Sequence, residues 1–344
     1  MTSGMRLVTA ALVVFAPIGA QAQTAEEFYR QHKTIDLVVT NAANSTYDLW
    51  SRQIAKHLPK YLPGNPAVVV RNMPGGGGIT GANYLFNQAP RDGSVFAAVG
   101  RSLPNVARMG QQAVQFDPLK FSWLGATEVA SRVCVVRADT GVKTAADAMT
   151  KEVLMGGSGA GGGAGFMPTM VNNLIGTKFK VIAGYKSSDE IHLAIARGEV
   201  SGICGGYATI LRFQEAKIKS GEMVVIFNYE QKRNPTLPNV PSILEYIHDK
   251  ESQQIFAFLT ASTEIGRPFA APPGVPADRL DMLRRAFDKT MKDPEFIADC
   301  AKVDLELNPK TGEELSKVIA DLYAIPQSIL DKAIAMIPEG GLGD

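Results

Sequence analysis

The chain has 344 residues, 45% of them hydrophobic, with 35 Lys and Arg against 34 Asp and Glu and a formal net charge of +1. With no basic block there is no electrostatic footprint for nucleic acid or for an anionic membrane, and a small neutral or anionic ligand remains possible. Three cysteines (Cys134, Cys204, Cys300) and four histidines (His32, His57, His192, His248) show no CxxC, HxxxH or HExxH spacing, so no metal or other cofactor is expected and at most one disulfide can form.

Residues 1–22 read as a signal peptide: one charge at Arg6, an apolar run from Leu7 to Ile18, then the small-x-small group Ala20-Gln21-Ala22. The run is too short to span a bilayer. Cleavage near Ala22 would place the mature chain in the periplasm. No later segment has the roughly 18 uninterrupted apolar residues of a membrane span. About 320 residues remain, which at roughly 100–200 per domain implies two domains.

Ile35 to Val39 reads as a strand, and Ser45-Thr46-Tyr47-Asp48 as the cap of a helix whose Trp50, Ile54 and Leu58 share one face before Pro59 ends it. A strand from Ala67 to Val70 runs into Asn72-Met73-Pro74-Gly75-Gly76-Gly77-Gly78. A helix through Ala82, Leu85 and Phe86, a turn at Pro90 to Gly93 and a strand from Val95 to Val99 complete a βαβαβ unit, which implies a parallel sheet.

A second unit starts with a strand from Val133 to Val136, a short helix from Thr144 and a strand from Val153 to Met155. A loop with seven glycines between Gly156 and Gly165 leads to a helix through Met170, Val171 and Leu174, stopped by Gly176, and to a strand from Phe179 to Ile182. Ser188 is the expected cap of a helix through Ile191, Leu193 and Ile195 that Gly198 ends. Val200 to Cys204 returns as a strand into Gly205-Gly206, and a strand from Met223 to Phe227 is expected to cross back to the first unit. The tail is helical, with a stripe of Leu280, Leu283, Phe287 and Met291, then a Thr311/Glu314 capping box ahead of Leu315, Val318, Ile319 and Leu322.

Three strand-to-helix loops, Thr40 to Asp48, Asn72 to Gly81 and Gly156 to Gly165, are the candidates for function, because ligands of open α/β sheets bind at the carboxyl ends of strands. Unpaired N–H groups and the helix dipole at each point suit a carboxylate or phosphate. In an ordered element each glycine costs roughly 0.5–1 kcal/mol relative to Ala, a cost that a binding loop explains and that a mobile loop would also tolerate. Gly157-x-Gly159-x-x-Gly162 matches the dinucleotide fingerprint, yet the next strand runs into Ile182-Ala183-Gly184-Tyr185-Lys186 with no acid for a ribose. Gly156-Gly157-Ser158-Gly159-Ala160 lacks the final glycine of a nucleophile elbow, and Gly76 to Gly81 is followed by Ala82 instead of Lys-Ser/Thr.

Taken in order, these segments resemble the periplasmic solute-binding proteins of tripartite tricarboxylate transporters, the Bug family. The resemblance rests on Val38-Val39-Thr40 through Asp48-Leu49, Asn72 to Gly78 with Gly81-Ala82, Pro90 to Gly93, Gly157-Ser158-Gly159-Ala160-Gly161, Tyr185-Lys186-Ser187, Leu237-Pro238-Asn239-Val240-Pro241 and Ala271 to Pro276. It implies an α/β, two-lobed periplasmic-binding-protein (Venus-flytrap) fold, each lobe a mainly parallel sheet flanked by helices. The expected lobes are 23–126 plus 228–344 and 127–227, with the ligand cleft between them.

The resemblance also implies that a small carboxylate (a di- or tricarboxylate or an aromatic acid) is held by Asn41, Ala42, Ser45, Thr46 and Tyr47 of the first lobe and by Ser158, Gly159, Ala160 and Gly161 of the second, and is handed to membrane transporter subunits. Gly77 of the second loop joins this set. The chain departs from the family's Pro-Gly-Gly in the opening loop, carrying Ala43-Asn44-Ser45. Position after a strand adds Arg101, whose guanidinium matches a carboxylate bidentately or serves as a surface salt-bridge partner, and Gly205 with Tyr207. The expected protein is a monomer without catalysis. The alternatives are an exported enzyme, a hydrolase using Ser158 or a lyase using Asp48 and Lys186, and a ligand sensor for a membrane receptor.

Overall fold

The structure is a computed structural model that describes residues 23–129, 131–158, 163–234 and 236–337. Its strands are β1 (Thr34–Val39), β2 (Ala67–Asn72), β3 (Val95–Ala98), β4 (Ser122–Ala126), β5 (Arg132–Arg137), β6 (Val153–Ser158), β7 (Phe179–Tyr185), β8 (Gly202–Gly206), β9 (Met223–Asn228), β10 (Pro268–Ala271) and β11 (Lys310–Thr311). They form two sheets, a six-stranded one in the order β11-β4-β10-β3-β1-β2 and a five-stranded one in the order β7-β6-β8-β5-β9.

Both sheets are mixed rather than mainly parallel. In the first, β1 pairs parallel with β2 and β3, while β10 runs antiparallel to both β3 and β4. In the second, β6 pairs parallel with β7 and β8, while β5 is antiparallel to β8 and β9. The expected crossing at Met223 to Phe227 does not occur there: β9 lies at the edge of the second sheet, against β5, and the chain leaves that sheet only after Asn228. An apolar strand satisfies its backbone on either sheet, so its partner is not written in its own residues.

Local chemistry explains the elements. Ser45 accepts the Asp48 N–H to start the helix Thr46–His57. Thr144 and Thr311 form capping boxes with Asp147 and Glu314. Gly198 and Gly221 end their helices in the left-handed conformation. The cap of the helix Ser188–Arg197 is Ser187, one residue before the expected Ser188, because its side chain is the one that accepts the Glu190 N–H.

One face of the first sheet buries Trp50, Phe96, Phe269, Phe287 and Phe296. From the other face a continuous cluster runs from Ala97 and Trp123 through Phe256 and Tyr229 to Cys134 and Met155 of the second sheet. Cys134 and Cys204 stand opposite one another on β5 and β8, with Cα atoms 4.1 Å apart, and are joined by a disulfide. Cys300 is free and buried. Among the described residues no helix is long and apolar enough to cross a membrane.

Candidate functional site

The pairing directions place the candidate loops. Since β4 is antiparallel to β10 and β10 to β3, strands β1 to β4 all run the same way. By the same reasoning β6, β7, β8 and β9 share one direction and β5 opposes them. The carboxyl edge of the first sheet therefore carries the loops after β1, β2, β3 and β4. The carboxyl edge of the second carries those after β6, β7, β8 and β9, together with the start of β5. Both connections between the sheets leave from these edges, and Thr127 to Ser131 can span at most about 20 Å. Both sets of candidate loops thus lie at the ends from which the chain passes between the sheets.

The loop after β1 is built around a buried carboxylate. Asp48 is fully buried and accepts from the Asn44 N–H at 2.9 Å, from Arg52 at 2.9 and 3.1 Å, and from Asn72 Nδ2 at 3.0 Å. Burial alone would raise its pKa, but the bonds from Arg52, Asn44 and Asn72 outweigh it and hold the carboxyl below its ordinary value. Asn44 adopts φ 63°, a conformation that asparagine tolerates. Asn72 also donates to the Asn41 carbonyl at 3.2 Å, so the end of β2 is tied to the loop after β1.

The loop after β3 is tied in as well. The Tyr47 hydroxyl accepts the Arg101 N–H at 2.8 Å, and Thr40 Oγ1 accepts the Gly100 N–H at 3.0 Å. Arg101 is only 7% exposed. The Arg267 guanidinium lies 4.8 Å from the centre of the Tyr47 ring and donates to Glu128 at 2.9 Å, and Glu128 also accepts from Trp50 Nε1 at 3.2 Å. One polar framework thus joins the ends of β1, β3 and β4.

Gly75, Gly76, Gly77 and Gly78 have φ of 133°, 56°, 65° and 94°, four consecutive residues where side chains are strained. A Cβ on Gly75 would meet Thr80 Oγ1 at 2.6 Å, and one on Gly81 would meet the Met73 carbonyl at 2.9 Å. A Cβ on Gly77 would meet nothing within 4 Å. Sterics inside the chain therefore explain part of the glycine run, and backbone conformation explains Gly77.

On the second sheet, β6 runs on past the expected end at Met155 to Ser158, while Gly159, Ala160 and Gly161 lie outside the described residues. Gly205 lies within β8 beside open space. Gly206 is the N-cap of the helix Tyr207–Ser220, which has no side-chain cap. Tyr207 is half-buried and donates its N–H to the Ser131 carbonyl at 2.9 Å. Its hydroxyl pKa is raised by burial first and then by Glu306 and Glu215. Asn41, Ala42, Ser45, Thr46, Tyr47, Gly77 and Arg101 thus gather on one edge, and Ser158, Gly205 and Tyr207 on the other.

Among the described residues, the groups named for the catalytic alternatives lie apart. Asp48 is fully engaged as a buried acceptor, and Lys186 is exposed on the surface. The histidines sit elsewhere: His32 on the Phe28 ring, His57 against Asp299, His192 against Gln214 between two helices, and His248 exposed. His57, Asp293 and Glu295 bring possible metal-ligand atoms together, but the Lys60 ammonium is already bonded to both carboxylates. This network fastens helix Thr46–His57 to helix Pro294–Ala301.

A family model described as tripartite tricarboxylate transporter family receptor matches residues 50–334. The chain belongs to this receptor family. Among its relatives is a UPF0065 protein of Cupriavidus necator, 26% identical over 337 residues that cover 96% of this chain and 95% of the relative. Among solved structures, a TctC solute-binding protein from Polaromonas has the same fold, with a TM-score of 0.68 at 20% identity over 87% of this chain and 98% of that one. The R. palustris protein Rpa4515 with adipate gives a TM-score of 0.54 at 17% identity over 87% and 97% of the two chains.

In this receptor the residues that sequence reasoning passed over are the ones that hold the loops. Asp48 reads from sequence as an ordinary first-turn acid, and Asn72 as part of a glycine motif. Arg267 and Glu128 carry no local signal at all, since each acts through a segment far away in the chain.

Proposed function

We propose that the protein is a periplasmic receptor that closes two lobes, 23–126 plus 228–344 and 127–227, over a small carboxylate and delivers it unchanged to the membrane subunits of a tripartite tricarboxylate-type transporter. Export by cleavage near Ala22 would bring it to the periplasm. The observation that supports this reading is that the candidate loops of both sheets lie at carboxyl edges, from which both connections between the sheets leave. There the Tyr47 hydroxyl and buried Arg101 stand on one side, with Ser158 and the uncapped helix after Gly206 on the other. The adipate held by the R. palustris protein of the same fold supports a carboxylate as the ligand.

The energetics suffice without any chemistry. A helix N-terminus contributes about 0.3–1 kcal/mol to an anion, and up to about 2 when partly buried. Charge-assisted hydrogen bonds net about 1.5–3 kcal/mol each. A few of each reach the roughly −8 kcal/mol of micromolar binding after association costs. Contacts that exist only when both lobes touch the ligand favour the closed state.

The test is thermal unfolding of the mature protein, refolded to strip carried-over ligand, against adipate, malate, citrate, hexanoate and benzoate. Selective stabilisation by one group, with the ligand recovered unchanged and the shift lost in Arg101→Ala, is the expected result. No shift with any carboxylate would refute the anion argument, and turnover of one of them would turn the protein into an enzyme.

A further inference from the structure

A pocket of about 380 Å³ opens between the helix Lys250–Ile265 and the helix Gly312–Tyr323, and none of the candidate-site residues lines it. Its volume falls within the roughly 300–1,000 Å³ of small-molecule sites. Lys250, Gln254, Ala257, Ala261 and Glu264 follow one another at steps of three or four residues, so they share one face of the first helix, and this face forms one wall. Val318, Leu322 and Ile325 contribute the other.

Ala261, Leu322 and Ile325 are buried members of the apolar cluster that runs between the two sheets, so the pocket reaches down to the core. Water over such a floor lacks the two to four polar partners that would hold it. An apolar chain laid there displaces it at a gain.

The polar groups around this floor are not equivalent. Glu264 is satisfied, accepting from the Gln231 N–H at 3.1 Å and from Lys310 Nζ at 2.5 Å. Asp321 is exposed and accepts from Lys317 Nζ at 2.9 and 3.1 Å. Among the described residues, the Lys250 ammonium and the half-buried Gln254 side-chain amide bond to no other group of the chain. Lys250 is also the first residue of its helix, where the dipole favours an anion over a cation. Its charge is met neither by an ion pair nor by its own helix.

We propose that this pocket is a second ligand site, for an amphiphilic monocarboxylate whose saturated chain lies on the floor of Ala257, Ala261, Leu322 and Ile325 and whose head meets Lys250 and Gln254. The carboxylate supplies the counter-charge that Lys250 lacks and accepts from the amide. A dicarboxylate of the same length is excluded, because its second charge would lie on the apolar floor or beside Glu264.

The experiment titrates octanoate, neutral octanol and the dicarboxylate suberate into the refolded mature protein with isotope-labelled methyl groups, after the best binder of the carboxylate panel has been added to fill the candidate site on the carboxyl edges. Methyl resonances locate the ligand and calorimetry gives its affinity. Octanoate is expected to shift the methyls of Val318, Leu322 and Ile325, octanol to bind about threefold more weakly, and suberate to leave them in place. Ala257→Leu, which fills the pocket from a half-buried helix position, is expected to lose about tenfold or more in affinity for octanoate. Lys250→Gln is expected to lose about threefold, the size of an exposed charge interaction.

Octanoate that leaves these three methyls unmoved, or that binds Ala257→Leu as tightly as wild type, would overturn the proposal. So would suberate or octanol binding there as tightly as octanoate. If Ala257→Leu does not fold, the surface change Lys250→Gln decides, and undiminished affinity for octanoate in that variant overturns the proposal. The response of the candidate site to its own carboxylate is expected to be unchanged in both variants, so a failure here leaves the receptor reading standing.

Discussion

Replacing Asp48 by alanine removes the group on which three parts of the binding edge depend. The exposed Asn44 loses its acceptor to water and the half-buried Asn72 keeps its bond to the Asn41 carbonyl, so each lost charge-assisted bond costs about 1.5 kcal/mol, the low end of its range. Arg52 is 55% exposed at its side chain and returns to water, so its ion pair adds only about 0–1 kcal/mol. The sum is about 3 kcal/mol. At roughly 1.5 °C per kcal/mol for a chain of about 320 residues, the melting temperature is expected to fall by about 5 °C. Asp48→Asn, which keeps one oxygen acceptor, is expected to lose about half as much.

The dependence on pH has a definite sign. The folded pKa of Asp48 lies below its ordinary value, so its contribution is present above the unfolded value of about 3.9 and is lost as pH falls through the folded one. Melting curves of wild type and Asp48→Ala are therefore expected to differ fully at pH 7 and to converge below about pH 4. Melting followed by circular dichroism, with calorimetry for the ligand, reads both effects. An Asp48→Ala protein that melts within about 2 °C of wild type at pH 7 and binds as tightly would refute the reasoning.

Two further outcomes follow from the same structure. Tyr47→Phe removes the acceptor of the Arg101 N–H while leaving the ring beneath Arg267, so it is expected to cost about 1–3 kcal/mol in stability and to weaken binding more than it lowers the melting point; equal affinity would show that Tyr47 does not set Arg101. The disulfide closes a separation of 70 residues, worth about 4 kcal/mol in the chain-entropy account, so the double variant Cys134→Ala/Cys204→Ala is expected to melt well below wild type. Cys300, whose thiol burial and Asp299 push up to about 12, should not scramble that bridge at neutral pH, and a double variant that melts like wild type would count against the account.

Much of the site could be read from the sequence because its signals are local. Ser45 as a cap, the four glycines Gly75 to Gly78 and the glycine-rich stretch ending β6 each state a backbone conformation through their own residue types, and the structure places all three at carboxyl edges. Arg101 could be named but not weighed. Nothing beside it in sequence says that Tyr47, from a helix that begins before β2, will hold its N–H, or that it will be buried.

What the sequence by itself determined is the order of strands and helices, the caps and glycines that bound them, a net charge too small for a polyanion partner and a run of loop motifs specific enough to suggest a family. These features depend on periods of two and 3.6 residues and on single-residue backbone preferences, which neighbours in the chain supply. Only the tertiary structure decided that β10 inserts between β3 and β4, that β9 stays on the second sheet, and that Cys134 faces Cys204. It alone also tied the Arg101 N–H to the Tyr47 hydroxyl. Strand partners and burial are set by segments far apart in sequence, and a strand's own residues fix which faces it presents without naming what will cover them.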